Sequence, residues 1–354
     1  MSNNKSTLVK RNYTVLDAFK FFFFLMITFF VASFAFEIIV SIIEASANVD
    51  KGTYMNSELV QIISCVLSPT IFIVFFLVYN AINKISYRDA FSDGQKVSLL
   101  PISVAIVLAI ISIFLFTPFM NLIDYWFAQG GYMPDDSIPL EDKMKASGGY
   151  FALGLLIYAL LPAIAEEIIF RGVIQRSISS KFNGFVAVFF STLMFVLVHG
   201  SLQQTVYQLI VGIMLGYLAC VGGNIVYSII LHFLSNALVL VTGCFDIVQY
   251  LSSDYTYYYN VFSMIFPICL FLLGLVLVGI LFWVLKYLRN KNFFRYEPKK
   301  KKKVRVKKEE LEKMQKFGFK DFWKQTTYNE KVFALVGIIF VGILWLVGTI
   351  SGFM

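Results

Sequence analysis

The sequence predicts an all-α fold: a polytopic transmembrane helical bundle of about nine spans, with eight also admissible, built around a catalytic core of four helices. Three observations predict it. Of 354 residues, 58% are hydrophobic, 17% aromatic and only 15% charged, against roughly 25% charged in soluble domains, and mean hydropathy is +0.74. The apolar residues gather into runs of about twenty, the length a helix needs to cross a hydrocarbon core of ~30 Å. Basic and acidic residues fall in alternate connections between those runs, as the positive-inside rule requires.

Taken in order, a polar start carrying Lys5, Lys10 and Arg11 precedes an apolar run from Phe21 to Ile43. Ala45-Ser46-Ala47 resembles a signal-cleavage site, but the run is about twice the ~7 to 15 residues of a cleavable signal, so it reads as a retained first span. Further spans are expected near Leu59 to Ile82, Leu99 to Ile123, Tyr150 to Ile174, Phe185 to His199, Thr205 to Val221, Ile225 to Val241, Val261 to Leu285 and Val332 to Ile350. The fifth, sixth and seventh are short, which leaves their ends loosely defined.

Lys84, Arg88 and Lys96 follow the second span, while Arg171, Arg176 and Lys181 close the fourth. The alternate connections carry Asp50 and Glu58, then Asp124, Asp135, Asp136, Glu141 and Asp142, then Asp246 and Asp254. This asymmetry places the N-terminus in the cytoplasm and, with nine spans, Met354 outside. A dozen basic residues between Lys286 and Lys308 account for the net charge of +8. Beside a hydrophobic span they read as an anchor to anionic lipid headgroups, with no nucleic acid implied. The following segment, with Leu311, Met314, Phe317, Phe322 and Trp323, has the pattern of an interfacial amphipathic helix. Cys65, Cys220, Cys244 and Cys269 lack metal or redox spacing and read as packing residues.

Against this apolar background LPAIAEEIIFR, residues 161 to 171, stands out. Ionised carboxylates inside a membrane cost several kcal/mol, so Glu166 and Glu167 mark either a functional site or the end of a span at the water boundary. Glu167 and Arg171 are one helical turn apart and can pair. Glu166 is left for a general base if it faces a polar cavity, and Pro162 can loosen the helix beside it.

The chain has two histidines, His199 and His232, and both fall in expected spans. With a turn near Asn183, Glu166 lies 17 residues before it and His199 16 after, so both sit at ~25 Å along antiparallel helices. His232 reaches that depth only if the turn at Gly222-Gly223 is itself sunk into the membrane. Phe195 precedes His199 by one turn as an apolar wall, and Asn236 follows His232 by one turn, where an amide and an imidazole together could donate to an oxyanion. Gly212 and Gly216 form a GxxxG pair read as helix packing.

In order, Glu166-Glu167-Ile-Ile-Phe-Arg171, Phe195-Val-Leu-Val-His199 and His232-Phe-Leu-Ser-Asn236 resemble the EExxxR, FxxxH and HxxxN motifs of the CPBP intramembrane proteases. That family includes the type II CAAX prenyl endopeptidases and bacterial bacteriocin-processing or immunity proteins. The resemblance covers roughly Tyr150 to Thr242 and divides the chain into an N-terminal part of three spans (1–149), a CPBP-like core (150–243), an eighth span with its flanking loops (244–295), a basic cytosolic segment (296–331) and a last span (332–354).

The resemblance implies an endopeptidase with a membrane cavity open toward the cytosol, acting on a membrane-associated peptide or protein such as a leader peptide, signalling peptide or CAAX-like tail. Glu166 would be the base, His199 would position the water, and His232 and Asn236 would stabilise the oxyanion. Glu167, Arg171 and Phe195 would support them, and no cofactor would be needed. A His2Glu zinc site on Glu166, His199 and His232 is the metal alternative, although the chain has no local HExxH ligand pair. A noncatalytic scaffold or bacteriocin self-immunity protein is the competing function, followed by a proton-coupled transporter, whose expected inverted repeats are not detectable. Richness in Lys, Asn, Ile and Phe suggests the cytoplasmic membrane of a low-GC bacterium.

Overall fold

A computed structural model describes residues 11–92, 94, 97–132, 139–245, 261–290 and 317–351, with backbone alone at 261–263 and 290. The expected amphipathic positions Leu311 and Met314, most of the basic run from Lys286 to Lys308, and the loop charges Lys96, Asp135, Asp136, Asp246 and Asp254 lie outside them.

The apolar runs form helices at each expected place: α1 (Val15–Ser46), α2 (Glu58–Ile82), α3 (Leu99–Gln129), α4 (Gly148–Ser179), α5 (Gly184–Val198), α6 (Leu202–Gly222), α7 (Val226–Phe245), α8 (Val261–Asn290) and α9 (Tyr328–Ser351). Eight are long and apolar enough to cross a membrane, and α5, at 15 residues, is shorter. The protein is a multi-pass membrane protein, a helical bundle without strands among the described residues. Its lipid-facing surface is apolar by necessity, with Phe34, Ile42, Leu272, Val276, Ile339 and Val347 all exposed.

The centre is α4, packed on α5, α6 and α7, with α3 against α7 and the pair α1 and α9 closing the outside. At the end where Arg88, Arg176 and Lys181 gather, Asp17 is buried at the start of α1 and takes both guanidinium nitrogens of Arg11 (2.6 and 2.7 Å) and the Tyr79 hydroxyl (2.9 Å). That network fastens α1 to α2. Glu58 holds Lys143 and the Tyr150 hydroxyl (2.6 Å) at the opposite end, tying α2 to the start of α4.

The segment from Phe317 is not wholly interfacial. Its backbone pairs with the α4–α5 turn, Asn183 donating to the Phe317 carbonyl at 2.9 Å. Phe322 is buried between Phe182, Phe190 and Phe19, with ring centres 4.8, 4.2 and 6.3 Å away, while Trp323 stays exposed. An aromatic socket between helices buries more of Phe322 than a headgroup layer would, and so overrides the amphipathic pattern.

Candidate active site

α4 is not a uniform helix. Two wide π-helical stretches, Leu155–Leu160 and Ile168–Gln175, flank the α-helical turns Leu161–Glu167 that carry both glutamates. Such bulges recur at functional sites because they free backbone groups and rotate side chains off the helical spacing. Pro162 contributes directly. Its missing N–H would have bonded the carbonyl four residues back, that of Tyr158, and the Asn236 amide donates to that carbonyl instead, at 3.4 Å. A proline that reads in sequence as a generic kink thus frees an acceptor for a predicted site residue.

The glutamates separate in environment. Glu167 is fully buried and its Oε1 receives Arg171 Nη1 at 2.6 Å and His232 Nδ1 at 3.1 Å. Arg171 is likewise buried, donates through Nη2 to the Gly212 carbonyl at 3.2 Å, and stacks its guanidinium over Phe195, 4.5 Å from the ring centre. The carboxylate of Glu166 is 18% exposed, its Oε2 lies 3.8 Å from His232 Nε2, and no hydrogen-bond donor among the described residues reaches that oxygen. One carboxylate is committed to structure; the other is left uncommitted.

The same bonds fix the imidazoles. Facing a carboxylate, His232 Nδ1 carries its proton, which leaves Nε2 toward Glu166. His199, at the end of α5, has Nδ1 2.8 Å from the Phe195 carbonyl, an acceptor only, so here too Nδ1 carries the proton and Nε2 is open. Both rings pack edge-on against Phe195, with centres 4.7 and 5.8 Å away. Phe195 therefore contacts both histidines and Arg171, a wider role than the wall beside one imidazole that its spacing suggested.

The α6–α7 turn is covered by protein. Asn224 and Ile225 are buried, and Ile225 N donates to the Phe91 carbonyl at 3.1 Å, so residues 91 and 92 roof the α6–α7 connection. Sequence spacing missed Gln175, which is buried one turn beyond Arg171 and donates to the Gly216 carbonyl at 2.8 Å. Gly212 and Gly216 serve both neighbours. A Cβ on Gly212 would press on Thr192 and Phe195, and one on Gly216 on Val188 and the Gln175 side chain, so the GxxxG pair lets α5 and the α4 donors approach one backbone.

Asn236 and Tyr158 line a cavity of about 560 Å³ with Thr117, Asp124, Gln204 and Tyr207; Glu166, His199 and His232 are not in its wall. It lies toward the end bearing Asp124 and the start of α6, away from the arginine- and lysine-rich end. Under the positive-inside orientation this is the outer side, whereas the family resemblance led us to expect a cytosolic mouth. The shortness of α5 explains the position: 15 residues rise ~22 Å, less than the ~30 Å hydrocarbon core. The turn from His199 to Ser201 follows this short helix and leads into the start of α6, whose Gln203 and Gln204 border the cavity.

A family model described as Rce1-like, type II CAAX prenyl endopeptidase, matches residues 148–238. That stretch is similar to the family over about a quarter of the chain. It takes in α4 to most of α7 and every predicted site residue, from Glu166 to Asn236. The matching family is one of proteases, which supports peptidase activity. No curated protein and no solved structure matches the chain. Among the described residues no group of three or more His, Cys, Asp or Glu side chains is arranged to hold a metal ion.

Proposed function

We propose that the protein is an intramembrane endopeptidase in which Glu166 activates water against a peptide bond of a membrane-associated peptide or protein, without a metal. The observation that carries this reading is the division between the glutamates: Glu167 is held between Arg171 and His232, while Glu166 Oε2 stays uncommitted 3.8 Å from His232 Nε2.

In this mechanism a water accepts no help from the buried pair. Its hydrogens go to Glu166 and to the open Nε2 of His199, and Glu166 takes a proton as the oxygen attacks the carbonyl carbon. The developing oxyanion lies beside His232 and receives a hydrogen bond from the second amide hydrogen of Asn236, the first being directed at Tyr158. Glu167 holds the His232 ring in place through Nδ1. Glu166 then passes its proton to the leaving amine, so atoms and charge balance within one turnover. The peptide enters by the cavity past Asn236, where Gln203, Gln204 and Gln208 offer amides to an extended backbone and Met120, Val239 and Leu240 receive apolar side chains; a leader or signalling peptide has that chemistry.

The deciding experiment compares peptides released from membranes containing the wild type and Glu166→Gln, with and without a chelator. Release should vanish in the variant at unchanged protein level and persist with the chelator. Undiminished release by Glu166→Gln would refute the base assignment, and loss with the chelator, restored by zinc, would favour the metal alternative.

A further inference from the structure

Thr28, Ser46, Ser64 and Ser103 are exposed, and each donates to the carbonyl four residues back in its own helix, at 2.7 to 3.1 Å. That local bond satisfies a helical hydroxyl without a neighbour. Ser191, in the middle of α5, does otherwise. It is fully buried, and its Oγ donates across to the Phe170 carbonyl of α4 at 2.7 Å. Phe170 belongs to the second π-helical stretch of α4, between Glu167 and Arg171. Among the described residues no other hydrogen bond joins α4 to α5. Beside it Phe195, one turn along α5, meets the Phe170 ring edge-on, 5.2 Å between centres, and the Arg171 guanidinium.

Apolar packing is weakly directional, whereas a buried hydrogen bond is made in one register only. Sliding α5 by one residue moves it ~1.5 Å along its axis and turns it by about 100°, which takes the hydroxyl off its acceptor. His199 travels with α5, because its ring is held through Nδ1 to the Phe195 carbonyl of the same helix at 2.8 Å. The spacing brings it to Glu166. His199 is two turns beyond Ser191, ~12 Å along α5, and Glu166 is one turn before Phe170, ~6 Å along the antiparallel α4 toward the same end. Side chains lean toward the N-terminus of their own helix. Glu166 and His199 therefore lean toward each other, and the two levels converge.

We propose that Ser191 is a positioning residue for peptide hydrolysis: its hydrogen bond to the Phe170 carbonyl fixes the register of α5 on α4 and so sets His199 Nε2 against Glu166. This rests on the endopeptidase reading and adds a residue that lies outside all three motifs. Enclosed by protein on every side, Ser191 acts through His199 rather than on the peptide. Its small side chain also lets the two helices approach closely enough for the bond to form.

The test compares the full-length wild type, Ser191→Ala and Ser103→Ala in nanodiscs. Cleavage is followed with a synthetic peptide spanning a site cut in wild-type membranes, and the imidazoles by ¹⁵N NMR of histidine-labelled protein. With two histidines in the chain, His199→Gln identifies the His199 signal. Ser191→Ala should lower kcat per folded protein about tenfold and leave KM within about twofold, since a misplaced catalytic group costs rate rather than binding. It should also displace the His199 signal. Ser103→Ala, which loses only a bond within its own helix, should change neither. An unchanged kcat per folded protein, a loss confined to KM, or an unmoved His199 signal in Ser191→Ala would overturn the proposal, as would an equal loss in Ser103→Ala. A wild type that cleaves nothing, with the His199 signal still displaced by Ser191→Ala, would refute the endopeptidase reading and keep the register assignment.

Discussion

At the scale of single residues, adjacent glutamates have opposite duties. Removing Glu166 takes away a base without disturbing a buried bond, so Glu166→Gln should keep the melting temperature within a degree or two while cleavage falls by about 10² to 10⁴, the usual contribution of a general base. Glu167→Ala leaves Arg171 charged and unpaired where both side chains are fully buried, an arrangement that costs about 3–5 kcal/mol. The paired replacement Glu167→Leu with Arg171→Met should recover most of that stability and none of the activity, because His232 has lost the carboxylate that orients it. Thermal unfolding alongside peptide release separates the two effects; full activity in the paired variant would show that Glu167 acts in folding alone. The i, i+4 spacing made the Glu167–Arg171 pair legible in the sequence. The second bond of Glu167, to His232, depends on where the α6–α7 turn places α7, and that turn pairs with Phe91 and Ser92, far away in the chain.

At the scale of elements, α4 shows how a local sequence signal carries a tertiary consequence. Pro162→Ala restores an N–H that can reclaim the Tyr158 carbonyl and release Asn236. Helix propensity favours the alanine by up to ~3 kcal/mol, so the variant should be no less stable, yet cleavage should drop about tenfold because the oxyanion donor is no longer aimed. Equal activity would mean that the 3.4 Å bond has no role in positioning. The loop after His199 offers a second test with an internal control. A Cβ on Gly348 of α9 would strike the carbonyl of Gly200, whose φ of +62° leaves it little freedom to shift, whereas a Cβ on Gly342 meets nothing within 4 Å. Trp345 also ties α9 to this region through Thr205, at 3.0 Å. Gly348→Ala should therefore impair cleavage by displacing His199, and Gly342→Ala should be silent or slightly stabilising; the reverse order would dissociate α9 from the site. Hydropathy located α9 within a few residues, but periodicity has no means of reporting that it braces the His199 turn.

For the molecule as a whole, the two ends of the bundle differ in charge and in what they open onto. Arg176 and Arg289 border a small cavity at the basic end, and Asp124, Gln203 and Gln204 border the large one at the other. Length and hydropathy were enough to read the bundle from the sequence, because burying backbone polar groups in lipid leaves helices as the available solution. The side from which a peptide enters was not, because it follows from the shortfall of α5 relative to its neighbours rather than from any motif. The positive-inside asymmetry and the cavity position together predict entry from the noncytoplasmic side. In a background with Cys65, Cys220, Cys244 and Cys269 replaced by serine, Gln204→Cys should react with a membrane-impermeant maleimide added to intact cells. Ser179→Cys, at the basic end, should react only after permeabilisation. A long peptide bound in the large cavity should protect Gln204→Cys and leave Ser179→Cys unaffected. The inverse labelling pattern would turn the mouth toward the cytosol, and the acid-loop end of the bundle with it, in which case the charge asymmetry of the loops, rather than the cavity assignment, would be the inference that fails.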